Sequence, residues 1–237
     1  LSLFENQYNG TIPLGLLRTV VPAAPDAWIT VLKNYGTMSF GEVASSAIKY
    51  AREGITVHPT MSKFLSRYQE NYRMWPSNSN IWQKNGHPLE VGDLLIQTDL
   101  AASIQFMADQ EAAAMKDGRE KGLQAARDAF YVGDIASKIV KYHKENGGLM
   151  TADDMASYAT PVEKPLSINF RGTEVYSCRP WCQGPVLLQM LNMLNNIDLK
   201  AKGHNSTDYI HYLAETIKLS FADRERYYGD PNFVDVP

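Results

Sequence analysis

The sequence predicts an α+β fold that is predominantly helical and carries a β-hairpin near residues 164–178. Two observations support this class. Most segments place apolar residues at the three- and four-residue spacing of amphipathic helices and end at Gly or Pro. The stretch 164–180 instead alternates apolar and polar residues on either side of Arg171-Gly172, which is typical of two strands joined by a tight turn.

The bulk composition narrows the class of protein. The chain has 237 residues, of which 44% are hydrophobic and 21% charged, and its formal charge is −3. This balance is typical of a globular protein and provides no basic surface for nucleic acid. No run of about 18 apolar residues is present, so no membrane segment is predicted. Because neither a repeat nor a linker interrupts the chain, we treat residues 1–237 as a single unit.

The first two predicted helices have clear ends. Residues 25–36 form one helix that stops at Gly36, and its apolar residues lie at helical spacing: Trp28, Val31, Leu32 and Tyr35. The next helix begins at Ser39, where Glu42 completes a capping box, and ends at Gly54.

The next region, residues 59–97, begins with a predicted helix and continues with residues that favour turns. Residues 59–75 predict one helix with an apolar stripe, which comprises Met61, Phe64, Leu65, Tyr68 and Tyr72. Residues 76–97 are rich in turn formers, and we expect a surface loop there, with a short hairpin at Asn85-Gly86.

A long helical tract begins near Thr98, which we expect to cap it together with Asp99. Gly118 and Gly122 weaken its middle, so the tract is either one helix or two. Another helix is predicted over 133–148. A shorter helix follows Thr151, where Asp154 supplies a variant of the capping box.

Two more helices follow the hairpin. Pro185 suits the first position of an apolar helix that we expect to be buried on most sides. Residues 206–229 predict an amphipathic helix capped by Ser206. Its predicted apolar stripe comprises Ile210, Leu213, Ala214, Ile217 and Phe221.

Several kinds of site are excluded because their motifs are absent from the sequence: HExxH, P-loop, GxGxxG and GxSxG. His211 and Glu215 lie one turn apart and are interpreted as a pair on a helix surface. The late aspartates do not fit a calcium loop, and we expect them to form caps and ion pairs with Arg224 and Arg226; they are Asp223, Asp230 and Asp235. No metal site is predicted.

Cys182 has two interpretations. Beside Gln183 and Gly184 at a helix start, its thiol could be a nucleophile with a lowered pKa, next to amides that hold an oxyanion. The same residues equally describe a tight turn into the helix at Pro185. We favour the turn because no histidine base lies close in the sequence.

Taken together, the segments resemble the γ-glutamyltranspeptidase family in order and approximate spacing over nearly the whole chain. The resemblance rests on the following pieces of this sequence: "GLLRTVVPAAPDAWITVLKNYGTMSFGEV", "AREG", "GDLLIQTDLA", "AFYVGDIASKIV", "NGGLMTADDMASY", "PLSINFRGTEVY", "LLQMLNML" and "HYLAETIKLSFADRERYYGDPNFVDVP".

The resemblance implies an N-terminal-nucleophile hydrolase with a four-layer αββα fold when complete. It implies a precursor that cleaves itself, so that the small subunit begins with the nucleophilic threonine, whose own amine is the base. No cofactor is then required, and the implied partners are the small subunit and a small amide or γ-glutamyl substrate.

This chain resembles the later part of the large subunit, and it begins with Leu1, so we expect it to be an internal piece of a longer polypeptide. The catalytic threonine is expected beyond Pro237 and the carboxylate-binding arginine before Leu1. No catalytic residue is therefore assigned within the chain, and Thr151 is interpreted as a helix cap.

Three departures from the family pattern indicate a divergent branch. "CRPWCQGP" stands where the family has a "PPPSSGG"-like turn, "VPA" replaces "VPG" at residues 21–23, and extra residues lie between Leu100 and Phe130. We therefore assign Cys182, Gln183 and Gly184 to the edge of the substrate pocket. The alternatives are an amidohydrolase or acylase of the same fold that takes oxamate- or cephalosporin-type amides, and a helical interaction module without activity. A bacterial origin is expected, and periplasmic, extracellular and cytoplasmic locations all remain open.

Overall fold

The structure is a computed structural model that describes residues 2–237. The chain divides into two compact units: an N-terminal unit that ends at Thr160 and a C-terminal unit, Pro161–Pro237. This division describes how the chain is packed and not whether the two units unfold together. The single unit predicted from the sequence therefore stays a prediction.

The N-terminal unit is mainly helical. Its helices are α1 (Ser2–Tyr8), α2 (Ala24–Tyr35), α3 (Phe40–Glu53), α4 (Pro59–Arg67), α5 (Gln69–Arg73), α6 (Pro76–Trp82), α7 (Thr98–Ala114), α8 (Arg119–Tyr131), α9 (Asp134–Glu145) and α10 (Ala152–Ser157). Its strands form two antiparallel pairs, β1 (Ile55–Thr56) with β4 (Leu94–Leu95) and β2 (Gln83–Lys84) with β3 (His87–Pro88).

The C-terminal unit contains the longer hairpin. Strand β5 (Leu166–Phe170) pairs with β6 (Thr173–Ser177), and Phe170 lies opposite Thr173 across the Arg171-Gly172 turn. A short 3₁₀ turn, Pro180–Cys182, then leads into α11 (Gly184–Leu194), α12 (Leu199–Lys202) and α13 (Thr207–Tyr227). The predicted hairpin and the predicted α+β class are confirmed.

The local capping predictions are largely confirmed. Ser39 and Glu42 form the capping box of α3, Thr151 and Asp154 form that of α10, and the Ser206 side chain accepts from the N–H of Tyr209 at the start of α13. The predicted cap at Thr98 is wrong, because Gln97 precedes α7 and provides no side-chain hydrogen bond.

Three predicted segments are divided differently. The helix expected over 59–75 is two helices, because the backbone leaves the helical region at Tyr68. The surface loop expected over 76–97 contains α6 and the buried residues Leu89 and Leu95, although its hairpin at Asn85-Gly86 is confirmed. The tract from Thr98 is two helices, and the second begins after Gly118, whose φ of 108° favours glycine.

The main core of the N-terminal unit lies among α2, α3, α7 and α8. Its buried residues are Ile29, Phe40, Ala44, Ile48, Met107, Ala108, Leu123, Ala126 and Ala129. The predicted helix over 25–36 is confirmed as α2, and its buried residues are Asp26 and Ile29, whereas Trp28 and Val31 are exposed. The Asp26 carboxylate can be buried because it has hydrogen-bonding partners, so the buried face of α2 is not its most apolar face.

In the C-terminal unit, α11 and α13 pack against each other. The predicted burial of α11 on most sides is confirmed, since its exposed residues are Leu187 and Asn192 and the others are buried or half-buried. The buried residues of α13 are Thr216 and Ser220, whereas much of the predicted apolar stripe is exposed: Ile210, Ala214, Ile217 and Phe221. Within residues 2–237, no helix combines the length and apolar character that a bilayer-crossing segment needs.

Candidate functional site

The predicted substrate-binding residues lie in one turn, residues 178–184, between β6 and α11. Cys182 ends the 3₁₀ turn, and Gln183 adopts a left-handed backbone with φ 61° and ψ 17° before α11 begins. Gly184 is buried, and a Cβ atom there would overlap the carbonyl group of Cys178. Glycine is therefore the residue that this close approach accommodates.

Polar contacts hold the turn in place. The Gln183 Oε1 accepts a hydrogen bond from Nη1 of Arg224 on α13 at 3.2 Å. The indole N–H of Trp181 donates to Glu163 Oε2 at 2.9 Å, and Arg179 lies 3.8 Å from the same carboxylate. Cys182 and Gln183 are exposed, so their side chains are accessible to a small molecule.

The environment of Cys182 disfavours the nucleophile interpretation. A hydrogen bond with the Cys178 thiol raises the pKa of Cys182, whereas an activated thiol needs a lowered pKa. The N–H of Cys182 donates to Arg179 O and that of Gln183 to Pro180 O, both at 3.0 Å, so neither amide is free to hold an oxyanion. The turn interpretation therefore stands.

A cavity of about 470 Å³ lies in the C-terminal unit beside the start of α11. Its walls combine apolar and polar side chains, among them Leu166, Pro185, Leu188, Gln189, Asp223 and Tyr228. Gln189 Nε2 donates to Asp223 Oδ2 at 2.5 Å, and the Tyr228 hydroxyl donates to Gln189 Oε1 at 3.3 Å. Burial, together with the charge of Asp223, raises the pKa of Tyr228, so its hydroxyl keeps its proton.

The sequence does not predict that the polar side chains of Gln189, Asp223 and Tyr228 meet at this cavity. It assigned Asp223 to a cap or an ion pair, but Asp223 bonds to Gln189, and Arg224 pairs with Glu225. Asp230 does act locally, by accepting the N–H of Asn232 at 2.9 Å. The available signal was the spacing of Thr216, Ser220 and Asp223, which places small and polar residues on one face of α13.

A second polar cluster lies buried in the N-terminal unit. The Asp26 carboxylate accepts from Arg127 and, at 2.6 Å, from the N–H of Thr160. Burial alone would raise the pKa of Asp26, but these hydrogen bonds and the Arg127 charge outweigh it and lower the pKa. Tyr131 donates to Pro22 O at 2.5 Å and accepts from the N–H of Asp26 at 3.1 Å. Because its members are bonded to one another, we assign this cluster a structural role.

Over the part of the chain that the structure describes, no three His, Cys, Asp or Glu side chains are grouped closely enough to hold a metal ion. The Glu215 carboxylate pairs with Lys218 at 2.9 Å, in agreement with a surface position on α13.

Comparison with known proteins places these features in context. Residues 2–237 match the family described as Gamma-glutamyltranspeptidase. The chain is 35% identical over 223 residues to the glutathione hydrolase proenzyme of Escherichia coli, and this match covers 93% of the chain and 36% of that protein. It is 32% identical over 225 residues to the acylase ACY 1 proenzyme of Pseudomonas sp. strain SE83, covering 94% of the chain and 38% of that protein.

A solved structure shows the same fold. The crystal structure of the Helicobacter pylori gamma-glutamyltranspeptidase superposes with a TM-score of 0.83 at 29% identity and covers 98% of this chain and 64% of that chain. The chain spans little more than a third of the length of the two curated relatives, 36% and 38%.

Proposed function

Because this chain belongs to the gamma-glutamyltranspeptidase family, we propose that it is part of the large subunit of a self-processing amide hydrolase and acyltransferase. One observation carries the proposal: the family match extends over residues 2–237. The relatives from E. coli and Pseudomonas are named as proenzymes, which supports activation by cleavage.

The proposed mechanism uses a nucleophile outside this chain. The N-terminal threonine of the small subunit attacks the amide carbonyl while its own amine accepts the hydroxyl proton. The acyl group moves to the threonine oxygen, the amine of the substrate leaves, and water or an acceptor amine releases the acyl group. Residues 1–237 would position the reacting groups and shape the pocket.

We propose that Cys182, Gln183 and Gly184 form the edge of that pocket. The exposed side chains of Cys182 and Gln183 support this role, and so does the fixed path of the backbone at the buried Gly184. The Arg224 contact holds the Gln183 amide so that it presents a defined hydrogen-bonding group. Differences in this turn from the family pattern would then change the choice of substrate.

The proposed partner is the small subunit, and α13 offers it an apolar surface. Ile210, Ile217 and Phe221 lie along one face of α13 and are 55%, 46% and 39% exposed. A run of apolar side chains on a single helix face is typical of a surface that another polypeptide covers.

Two substrate classes are supported by different relatives. A γ-glutamyl amide is favoured by the glutathione hydrolase of E. coli, and another acyl amide by the acylase of Pseudomonas. We favour the γ-glutamyl class because the family whose model matches residues 2–237 is described as Gamma-glutamyltranspeptidase.

Mass spectrometry of the full-length gene product, followed by amide hydrolysis assays, tests the proposal. We expect two fragments, the second beginning with threonine, and faster hydrolysis of a γ-glutamyl anilide than of simple acyl anilides. An uncleaved product without activity would leave the interaction module as the better explanation. Processing combined with a preference for other acyl groups would instead establish the acylase.

A further inference from the structure

The cavity of about 470 Å³ in the C-terminal unit has walls chiefly from three elements, β5, α11 and the end of α13. Its volume lies within the roughly 300–1,000 Å³ that is typical of pockets for small molecules. The apolar side chains of its wall come from the first two elements, and they are Leu166, Ile168, Pro185 and Leu188. A ligand of this cavity would therefore place an apolar body against β5 and α11.

Asp223 carries the only charged side chain among the residues that line the cavity. Within residues 2–237, this carboxylate forms no salt bridge. The neighbouring Arg224 pairs instead with Glu225 and donates a hydrogen bond to Gln183 at 3.2 Å. The described residues therefore supply no counter-ion to Asp223, and a cationic ligand would supply one.

A chain of hydrogen bonds with a fixed direction ends at this carboxylate. Because an ionised carboxylate only accepts, Gln189 must turn its NH₂ group toward Asp223 Oδ2, which lies 2.5 Å away. The amide oxygen of Gln189 then accepts from the Tyr228 hydroxyl at 3.3 Å. Burial, together with the charge of Asp223, raises the pKa of Tyr228, so the hydroxyl keeps the proton that it donates. Both donors of the chain thus support the negative charge of Asp223.

The Asp223 carboxylate retains acceptor sites for a ligand. Its two oxygens offer about four lone-pair positions, and Gln189 is its single side-chain partner within residues 2–237. A primary ammonium group brings three donors and a positive charge, whereas a hydroxyl brings one donor and no charge. A carboxylate ligand would be repelled. The polar end of the cavity therefore favours an ammonium group over the other two.

We propose that this cavity is a binding site for primary ammonium compounds with an apolar body, and that Asp223 is the counter-ion. The ammonium group would bond to Asp223, and the body would lie against Leu166 and Leu188. This inference does not rest on the proposed amide hydrolysis, because it concerns only binding to residues of the C-terminal unit.

Isothermal titration calorimetry of the full-length protein, in the form in which it is isolated, tests the site with three probes. Phenethylammonium, 2-phenylethanol and 3-phenylpropionate share one body and differ in a positive, a neutral or a negative head group. We expect phenethylammonium to bind about tenfold more tightly than 2-phenylethanol, and 3-phenylpropionate to bind most weakly. Equal affinities for the three probes, or tighter binding of the alcohol, would overturn the proposal.

Two aspartate variants on α13 separate the counter-ion from general attraction. Asp223→Asn keeps the size of the side chain and an acceptor for Gln189 but removes the charge, so phenethylammonium should bind about tenfold more weakly. Binding of 2-phenylethanol should not change. Asp208→Asn is the matched control, because it removes an exposed charge from the first turn of the same helix and should leave both affinities unchanged. Equal losses in the two variants would contradict a specific site.

A cavity-filling variant decides the matter if circular dichroism shows that Asp223→Asn does not fold. Asn192 is an exposed residue of α11 that lines the cavity, so Asn192→Phe places a ring in the space for the apolar body and leaves Asp223 in place. It should weaken the binding of phenethylammonium and of 2-phenylethanol about tenfold. Unchanged affinity for phenethylammonium in Asn192→Phe, or in a folded Asp223→Asn, overturns the proposal. Because the measurement is of binding, its failure is separate from any failure of amide hydrolysis.

Discussion

In the N-terminal unit, Ile29 and Leu123 are fully buried, whereas in the C-terminal unit α13 leaves Ile210 and Ile217 exposed by 55% and 46%. The N-terminal helices enclose a core of nine buried residues, although α2 leaves Trp28 and Val31 exposed. The C-terminal unit buries Thr216 and Ser220 against its neighbours and turns an apolar stripe outward. The first unit therefore encloses a helical core of its own, whereas the long helix of the second buries polar residues and exposes apolar ones.

The two units also differ in their use of carboxylates. Asp26 and Glu111 are buried in the N-terminal unit, and each accepts hydrogen bonds from residues distant in the sequence. Asp223 in the C-terminal unit also accepts a hydrogen bond from a distant residue, Gln189, but it lines a cavity. Buried and bonded carboxylates stabilise one fixed arrangement, whereas a carboxylate at a cavity is available to a ligand.

The largest expected effect is that of Asp26→Ala. The substitution leaves Arg127, whose side chain is only 16% exposed, without its partner, and it frees the N–H of Thr160. We expect the free energy of unfolding of this chain in urea to fall by about 4 kcal/mol. The matched control Asp153→Ala removes an exposed carboxylate and should change it by less than about 0.5 kcal/mol.

The sign of the pH dependence follows from the lowered pKa of Asp26. Its stabilising contribution is present above the ordinary pKa of 3.8 and is lost as the pH falls through the lower folded value. Asp26→Ala should therefore lose this acid dependence while Asp153→Ala retains it. Equal acid dependence in both variants would show that Asp26 does not stabilise the N-terminal unit.

A pair of isoleucine substitutions tests the difference in apolar packing. Ile29→Ala should lower the free energy of unfolding of this chain by about 3 kcal/mol, because it leaves a cavity in the core. Ile217→Ala should lower it by less than about 0.5 kcal/mol, because the side chain is 46% exposed.

In the processed protein, Ile217→Ala should weaken the association with the small subunit, so that less of the small subunit elutes with the large one in gel filtration. A cost at Ile217 equal to that at Ile29 in this chain would refute the contrast.

Two glutamates that bond to the start of α3, Glu111 on α7 and Glu42 on α3 itself, provide a smaller contrast. Glu111 accepts from the N–H groups of Phe40 and Gly41, both at 2.8 Å, so Glu111→Gln turns an amide donor toward one of them. We expect a loss of about 2 kcal/mol in urea unfolding. Glu42→Gln should be nearly neutral, because glutamine also completes an exposed capping box. Similar costs at both positions would argue against a special role for the buried carboxylate.

The dependence of stability on alkaline pH tests the N-terminal unit through a buried tyrosine, Tyr131. Burial, supported by the charge of Asp26, raises the pKa of Tyr131 to about 12 from an ordinary 10.0. A raised folded pKa stabilises the protein below the unfolded value, and this contribution is lost as the pH rises through the folded one. Between pH 10 and 12, the free energy of unfolding should therefore fall about 2 kcal/mol more than it does in Tyr131→Phe.

The matched control for this titration is Tyr35→Phe, which alters a tyrosine that is 76% exposed. This variant should retain the full decrease in the free energy of unfolding between pH 10 and 12, measured by urea unfolding at each pH. If Tyr131→Phe and Tyr35→Phe have the same slope, the burial of Tyr131 does not govern the alkaline response.

The sequence by itself determined the features that depend on residues a few positions apart. The capping boxes at Ser39 and Thr151 and the turn at Arg171-Gly172 were predictable, because the bonding groups lie within one turn of the chain. The family resemblance was likewise readable, since it depends on the order of short motifs, and the match over residues 2–237 confirms it.

Only the tertiary structure decided which faces are buried and which polar groups meet. Asp26 finds Arg127 across 101 positions and Glu111 finds Phe40 across 71, and no local pattern encodes either contact. Within the candidate site, Cys182, Gln183 and Gly184 could be proposed from the sequence, but Gln189 and Tyr228 could not. Gln189 bonds to Asp223 and to Tyr228 only when α11 packs on α13, because the polar groups that are partly buried there must find hydrogen-bonding partners on another element.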